Sequence, residues 1–260
     1  VEQLIPIHQN WNWIAFGVDP ETTYLDKLFD DYADWKMLIK NRDTFSDYNG
    51  AEWNGELVPR VNEMYKLRVE PLPQSSEMPA QLSVSGTYLP SSELPVTLHD
   101  GWNWIAFTPL TTLTIGEALA AANPQMGDIV KSQTAVSIYG ATGWEGSLQS
   151  LESGHGYMYF STDNQQKAFT YPAASAQGSK AYAPRRSSES LRFFHPVDKY
   201  LYPNNMTMVI RLVDGSAVVD TAEVAAFVGD ECRGATRATG GLYYLVVAGE
   251  GADQPMSLRT

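Results

Sequence analysis

His8-Gln-Asn-Trp-Asn-Trp-Ile-Ala-Phe16 decides the fold, because this stretch returns 91 residues later as His99-Asp-Gly-Trp-Asn-Trp-Ile-Ala-Phe107. The same offset continues downstream without a gap and pairs Thr23 with Thr114, Leu28 with Leu119, Lys40 with Lys131, Ser46 with Ser137, Tyr48 with Tyr139, Trp53 with Trp144, Gly55 with Gly146 and Leu57 with Leu148. Tyr65 and Tyr157 match after a slip of one residue. A repeat that holds its register over this length predicts two homologous modules, residues 1–88 and 89–173.

Each copy is predicted to place one helix on a small, mostly antiparallel sheet. The Trp-Asn-Trp-Ile-Ala-Phe run is rich in strand-forming residues and predicts a buried strand. A helix follows, because Thr114 and Glu117 have capping-box spacing, with Thr23 and Asp26 as their acidic counterpart. Apolar residues then recur at i, i+3, i+4 and i+7: Leu25, Leu28, Phe29 and Tyr32 in one copy, and Ile115, Ala118, Leu119 and Ala122 in the other. Strands at 128–132, 135–139 and 157–161 complete a β-α-β-β-β order.

Two further segments follow the repeats. Residues 174–190 are small and polar and cannot bury enough apolar area to offset the entropy of ordering, so we interpret them as a linker. Residues 191–260 show strand patterns separated by turns, at 206–213, 217–219, 223–228, 242–247 and 257–260. The predicted fold class is therefore mainly β, with α+β repeats followed by a β-sandwich-like module. Because the strand pattern at 257–260 stops with the sequence, we expect this module to be truncated.

Charge and hydropathy exclude two classes of partner. The net charge of −12 argues against nucleic acid, because phosphate binding needs clustered Lys and Arg. Only residues 174–192 are basic, and we interpret them as solvated linker. No apolar run approaches the roughly 18 residues that a membrane helix requires, so no membrane span is predicted. The single Cys232 forms no internal disulfide, which leaves open a free thiol or a pairing outside this sequence.

No catalytic or cofactor signature is present, so we predict a non-enzyme without a cofactor. His8 and His99 lack a second ligand at metal-binding spacing and are interpreted as turn residues. Asp43, Asp47 and Asn49 have the oxygen-rich pattern of a calcium loop, but the matching positions of the second copy cannot supply those ligands. No metal site is therefore predicted.

One charged segment of the third module is a candidate for catalysis. Asp230-Glu231-Cys232-Arg233 places two acids beside an arginine, directly after an apolar run. We interpret it instead as a turn with a local ion pair, in which Cys232 is a small buried hydrophobic residue.

The tryptophan strand raises the main functional question. On a strand, Trp102 and Trp104 share one face, while Asn103, Ile105 and Phe107 take the other. Both faces are thus largely apolar, so either the strand is central or its tryptophan face is open to a ligand. Sugar-binding modules use open Trp and Tyr faces, because the C–H-rich faces of sugars pack on aromatic rings.

We interpret the tryptophans of this strand as framework, because the same residues recur in both copies: Trp11, Trp13, Trp102 and Trp104. Two other tryptophans each lie beside a turn glycine and are better placed for exposure. With the tyrosines that precede them they are the ligand-binding candidates: Trp53, Trp144, Tyr48 and Tyr139.

Four motifs of the second copy carry a family resemblance: Gly101-Trp-Asn-Trp-Ile105, Gly127-Asp-Ile-Val-Lys-Ser-Gln133, Gly143-Trp-Glu-Gly146 and Gly154-His-Gly-Tyr-Met-Tyr159. They resemble repeats in large secreted proteins of Bacteroides-type bacteria. Asn205-Met-Thr207 and Ala226-Phe-Val-Gly-Asp-Glu-Cys-Arg-Gly234 resemble a β-module that accompanies those repeats. The first copy departs from the pattern at 34–41 and 62–65. The resemblance implies an extracellular or cell-surface location and an accessory role, without naming a ligand.

We therefore expect a non-catalytic modular region of a secreted or cell-surface bacterial protein. Its expected role is adhesion or scaffolding through an extracellular protein or the matrix. The alternative is a carbohydrate-binding accessory region of a larger enzyme, with a glycan as partner. An exposed aromatic pair beside polar side chains would favour the glycan, whereas a flat acidic surface over buried tryptophans would favour adhesion.

Overall fold

The computed structural model describes residues 1–75, 77–173, 191–251 and 254–260. The fold is mainly β, with 49% of residues in strands and 9% in helices. The sheets are small and antiparallel, so the predicted mainly β, mostly antiparallel class is confirmed. No helix in these ranges has the length and apolar character needed to cross a membrane. The predicted linker, 174–190, lies outside the described residues.

The first copy contains two sheets and one short helix. Its elements are β1 (Glu2–Pro6), β2 (Asn10–Ala15), β3 (Val18–Pro20), α1 (Leu25–Leu28), β4 (Trp35–Lys40), β5 (Phe45–Tyr48), β6 (Trp53–Gly55), β7 (Met64–Pro71) and β8 (Gln81–Tyr88). One sheet has the order β2-β7-β4-β5-β6, and the other has the order β1-β8-β3.

The second copy repeats this plan. Its elements are β9 (Val96–Leu98), β10 (Gly101–Ala106), β11 (Leu113–Thr114), α2 (Ile115–Leu119), β12 (Ile129–Lys131), β13 (Val136–Gly140), β14 (Gly143–Gly146), β15 (Ser150–Leu151), β16 (Gly156–Ser161) and β17 (Lys167–Phe169). The main sheet runs β10-β16-β12-β13-β14, which matches the first copy strand for strand, and β11-β15 and β17-β9 form two-stranded sheets. One strand order in both copies is what the sequence repeat predicts.

The turn before the tryptophan strand is built identically in both copies. The side chain of Asn12 accepts a hydrogen bond from the His8 N–H (2.8 Å) and donates one to the His8 carbonyl (2.7 Å). The equivalent Asn103 makes the same two bonds within its own copy, at 2.9 and 2.7 Å. Asn10 and Gly101 have positive φ angles of 71° and 79°, a region open mainly to Asn and Gly. The asparagine of Trp-Asn-Trp therefore fixes the turn that starts the strand.

A glycine closes the last hairpin of each main sheet for steric reasons. A Cβ atom on Gly55 would lie 2.4 Å from the Phe45 carbonyl oxygen, and one on Gly146 would lie 2.3 Å from the Val136 carbonyl oxygen. Both glycines also have positive φ angles, 116° and 150°. Any side chain here would push apart the paired strands.

The helices are shorter than the apolar spacing predicts, although the predicted faces are buried. α1 spans one turn and is followed by a 3₁₀ turn at Asp30–Tyr32. In the second copy, Thr114 and Glu117 form the predicted capping box. In the first copy, the N-cap is Tyr24 and no side chain caps the helix, so the predicted counterpart at Asp26 is wrong. The box is absent for two reasons. Aspartate is one methylene shorter than glutamate, and α1 starts one residue later than α2 in the register of the repeat.

The third module contains a five-stranded sheet and a separate hairpin. Its strands are β18 (Asn204–Ile210), β19 (Leu212–Asp214), β20 (Ala217–Val219), β21 (Glu223–Val228), β22 (Glu231–Thr239), β23 (Leu242–Gly249) and β24 (Met256–Arg259). The sheet has the order β18-β23-β22-β21-β24, and β19 pairs with β20.

Strand β22 corrects the prediction that 230–233 is a turn. The turn lies at Gly229 and Asp230, and the chain is extended from Glu231 onward. Glu231 and Arg233 still form the predicted ion pair, since residues two apart share one face of a strand. Cys232 is buried, as predicted.

Each module has its own apolar core. In both repeats the core lies on the sheet face that carries Ile14 or Ile105, where the short helix and the smaller sheets cover it. A further cluster joins the second copy to the third module, with Val136 against Tyr244 and Val246. The tryptophan faces of β2 and β10 therefore point away from the repeat cores.

Candidate functional site

The four framework tryptophans line the junction between modules instead of filling the core of each repeat. Trp13 and Trp11 are buried, with 3% and 9% of their surface exposed, but Trp102 is 42% exposed. The tryptophans predicted as framework therefore lie where modules meet. The sequence could not assign the face, because the short helix and the smaller sheets cover the Ile side and a segment distant in sequence covers part of the Trp side.

Lys66 is the centre of this junction. Its Nζ lies 4.8 Å from the ring centroids of both Trp13 and Trp104, one ring from each repeat. The same ammonium donates hydrogen bonds to the Pro203 carbonyl (2.9 Å) and to Asn204 Oδ1 (2.8 Å) of the third module. One buried lysine therefore contacts all three modules.

Lys131 forms a parallel contact in the second copy. Its Nζ lies 4.5 Å from the Trp102 ring centroid and donates to the Asn205 carbonyl at 2.9 Å. Lys40, its equivalent in the first copy, lies 5.4 Å from the Trp11 ring. The repeat thus retains a lysine over the first tryptophan of the strand, and this pair was not recognised as a unit from sequence.

Burial changes the acid–base properties of both junction lysines. It lowers the pKa of Lys66 to about 7, and repulsion from Lys40 and Lys131 acts in the same direction. Burial also lowers the pKa of Lys131 to about 8. Near neutral pH, part of the Lys66 population therefore carries no charge.

Amide side chains complete the junction. Gln133 Nε2 donates to the Trp11 carbonyl at 2.8 Å, which ties the second copy to the first. Asn205 Nδ2 donates to the carbonyls of Ser132 and Gln133, both at 3.0 Å. His8 stacks on Tyr200 of the third module at 4.0 Å, so this histidine is an interface residue.

A cleft of about 620 Å³ opens on the first copy between α1 and the β5–β6 hairpin. Two predicted ligand-binding candidates form one wall, with the Trp53 ring centroid 5.3 Å from that of Tyr48. Phe29 lies 5.7 Å from Trp53, and Tyr24 stands at the edge with 73% of its surface exposed. This aromatic cleft, defined by Tyr24, Phe29, Tyr48 and Trp53, is the candidate functional site.

The rim of the aromatic cleft is acidic. Asp26, Asp30, Glu52 and Glu56 line it, and Lys27 is the accompanying basic residue. The Lys27 ammonium lies 4.0 Å from the Asp26 carboxylate, and both are exposed. The lining thus carries three more negative than positive charges.

The other two candidates, Tyr139 and Trp144, also contact each other in the second copy. Their ring centroids are 5.2 Å apart, and Trp144 lies 6.1 Å from the buried Tyr159. The residues that match Tyr24 and Phe29 are Ile115 and Ala120. Two rings of the first copy therefore have no counterpart here, and Trp144 packs at the edge of the core.

A buried carboxylate, Asp128, bonds the ring neighbour of Trp144, and sequence reasoning missed it. Asp128 accepts hydrogen bonds from the Tyr159 hydroxyl (2.6 Å) and from the Thr162 N–H (2.8 Å) and hydroxyl (2.7 Å). Burial alone would raise the pKa of Asp128, but these bonds, with one from the Gln125 N–H, hold it below its ordinary value. Its partners are structural, and it anchors the end of β16.

Residues weighed from the sequence as metal ligands or as charged catalytic groups have other partners in the described ranges. No cluster of three or more His, Cys, Asp or Glu side chains there could hold a metal ion. Asn49, considered as a calcium ligand, caps a turn by accepting from the N–H groups of Ala51 and Glu52. In the third module, Glu231 accepts from the Tyr202 hydroxyl as well as pairing with Arg233.

Comparison with protein-family models, with curated proteins and with solved structures finds no match to this chain.

Proposed function

We propose that the chain is a non-catalytic modular region of a secreted or cell-surface bacterial protein that acts in adhesion or scaffolding. The junction around Lys66 carries the proposal, because one side chain ties both repeats and the third module together. Such a unit holds its surface clefts in a fixed relative orientation, which suits the display of a binding site. In this proposal the third module is a β-sandwich-like element seated on the second copy, and the partner is an extracellular protein or the matrix.

Carbohydrate binding is the second candidate, and the aromatic cleft favours it. Trp53, Tyr48 and the exposed Tyr24 offer ring faces beside carboxylates, the combination that packs on the C–H faces of sugars and bonds their hydroxyls. In that case the chain would be an accessory region of a larger enzyme.

Solid-phase binding separates the two functions. The purified chain is applied to immobilised extracellular-matrix proteins and to a panel of oligosaccharides and polysaccharides. Adhesion predicts saturable retention on protein, with little on the glycans. Retention on glycans alone would replace adhesion by the accessory role, and retention on neither would refute both.

A further inference from the structure

We propose that the aromatic cleft of the first copy binds a lysine or arginine side chain of the partner protein. The inference rests on the proposed function, which supplies an extracellular protein as partner, and it adds the chemistry by which that partner is recognised.

The rings of the cleft are arranged to receive a cation. The Trp53 ring lies 5.3 Å from Tyr48 and 5.7 Å from Phe29, which is buried and supports Trp53 from the core side, and Tyr24 leaves most of its ring in solvent. A cation within about 6 Å of a ring centroid is attracted by the negative face of the ring. The apolar stem of a lysine or arginine also packs on such rings while its charged end stays at the rim.

The rim supplies the complementary charge. The carboxylates of Asp30, Glu52 and Glu56 are exposed, and among the described residues no hydrogen bond or ion pair involves them. A guanidinium can bond a carboxylate through two parallel N–H groups, whereas an ammonium offers a point charge. Three unpaired carboxylates beside tilted rings therefore match a cationic side chain more fully than a neutral sugar, whose hydroxyls would bond the carboxylates without neutralising their charge.

The second copy serves as an internal comparison. Its positions that match Asp30, Glu52 and Glu56 are Ala121, Gly143 and Ser147. It retains Tyr139 and Trp144, and Glu117 at the position of Asp26, but lacks the other three acids of the rim and two rings. Of the two matched hairpins, the one in the first copy therefore combines more aromatic rings with more carboxylates.

The same protein already uses this contact internally. Lys66 lies over Trp13 and Trp104, and Lys131 lies over Trp102, at 4.5 to 4.8 Å. In those places the cation comes from the chain itself. In the aromatic cleft, the rings and the carboxylates are present and the cation is to come from the partner.

The test uses a fluorescein-labelled nonapeptide of glycine and serine that contains two arginines, and a second peptide with neutral citrulline in place of arginine. Binding to the full chain is followed by fluorescence anisotropy at low and high salt. We expect the citrulline peptide to bind at least about tenfold more weakly. Binding of the arginine peptide should also weaken as salt rises from about 0.05 to 0.5 M.

Matched variants locate the site. The double variant Asp30→Asn, Glu52→Gln should bind the arginine peptide about tenfold more weakly. The control variant Glu93→Gln, Asp100→Asn, which changes two exposed acids outside the cleft, should alter this affinity less than twofold. Trp53→Ala should also weaken binding about tenfold. Trp53 packs at the edge of the core, so Trp53→Ala could unfold the first copy. In that case the Asp30→Asn, Glu52→Gln variant tests the site by itself, because both acids are exposed.

Three outcomes would overturn the proposal: no binding of the arginine peptide at millimolar concentration, equal binding of the citrulline peptide, or unchanged binding by the Asp30→Asn, Glu52→Gln chain. If maltohexaose, cellohexaose or chitohexaose binds through Trp53 and ignores the acids, the cleft is a glycan site. If the double variant still adheres to matrix protein as the parent does, adhesion stands and the cleft assignment fails. A parent chain that binds the peptide but no matrix protein would refute adhesion alone.

Discussion

Replacing Lys66 with Met should change how the stability of the protein depends on pH. Burial lowers the pKa of this lysine from 10.5 to about 7. Between pH 7 and 10.5 the unfolded chain therefore binds more protons at Lys66 than the folded chain does. Stability must rise with pH across this window, while below pH 7 the lysine is protonated in both states and its contribution is constant.

The expected size follows from the two pKa values. Between pH 7 and pH 9, Lys66 should add on the order of 2 kcal/mol to the free energy of unfolding. For a protein of this size that corresponds to a rise in Tm of about 4 to 8 °C. Methionine keeps much of the volume but cannot titrate. The Lys66→Met variant also loses the bonds to Pro203 and Asn204, which should lower its free energy of unfolding by the same amount at every pH. The slope of stability against pH therefore reports the titration of Lys66.

The assay is thermal and urea unfolding at pH 7, 8 and 9, with Lys27→Met as the control. Lys27 is 68% exposed, so its replacement should leave the pH slope unchanged. Lys131 titrates in the same window, and since burial outweighs its repulsion with Lys66, the difference between the slopes reports mainly Lys66. Parallel curves for the parent and Lys66→Met would show that Lys66 is not held in a buried site between the two rings.

Five other substitutions, in three comparisons, test the module structure by thermal unfolding. Trp13→Ala should cost about 3 to 5 kcal/mol, and Trp102→Ala clearly less because its ring is 42% exposed; equal losses would contradict the assigned faces. Gly146→Ala should destabilise by more than about 2 kcal/mol, whereas Gly116→Ala, in open space on α2, should stabilise by up to about 1 kcal/mol. The pKa of Glu223 is lowered to about 2, so the stability of the parent protein should fall as pH drops from about 4.5 towards 2. The Glu223→Gln variant should lack this part of the acid dependence.

The Glu223 prediction follows from how the third module begins. Its carboxylate accepts hydrogen bonds from the N–H groups of Arg192 and Phe193 and from the Arg237 guanidinium. Burial alone would raise the pKa of Glu223, but these donors lower it. Because the pKa of Glu223 is lower in the folded than in the unfolded state, the ionised carboxylate stabilises the fold and its protonation at low pH destabilises it.

Sequence reasoning succeeded where a local pattern determines the structure. The strands at Ala217–Val219 and Glu223–Val228 have the predicted ends, and the capping box of Thr114 and Glu117 is present. The repeat register also predicted the shared strand order, because matched residues place matched turns. Strand β22 was missed because Glu231 and Arg233 resemble turn residues, although as a pair two apart they neutralise each other on one strand face.

The junction could not be predicted, because its contacts join residues far apart in sequence. Nothing local indicates that the carbonyl of Pro203 will meet Lys66, 137 residues earlier. No local signal was available, because Lys66 shares its strand face with Arg68 and Glu70, the pattern of a half-buried strand with a solvated side. The aromatic cleft was half predicted, since Tyr48 and Trp53 were named, but Tyr24 and Phe29 come from a helix whose position needs the tertiary fold.

The junction also bears on how such a protein can diverge. Many of its hydrogen-bond acceptors are main-chain carbonyls, at Trp11, Ser132, Pro203 and Asn205. A carbonyl is present whatever the side chain, so substitution at an acceptor position leaves the bond available. Lys66 and Lys131 therefore recognise mainly a backbone path, and a third module that keeps this path together with Asn204 and Asn205 could replace the present one on the same pair of repeats.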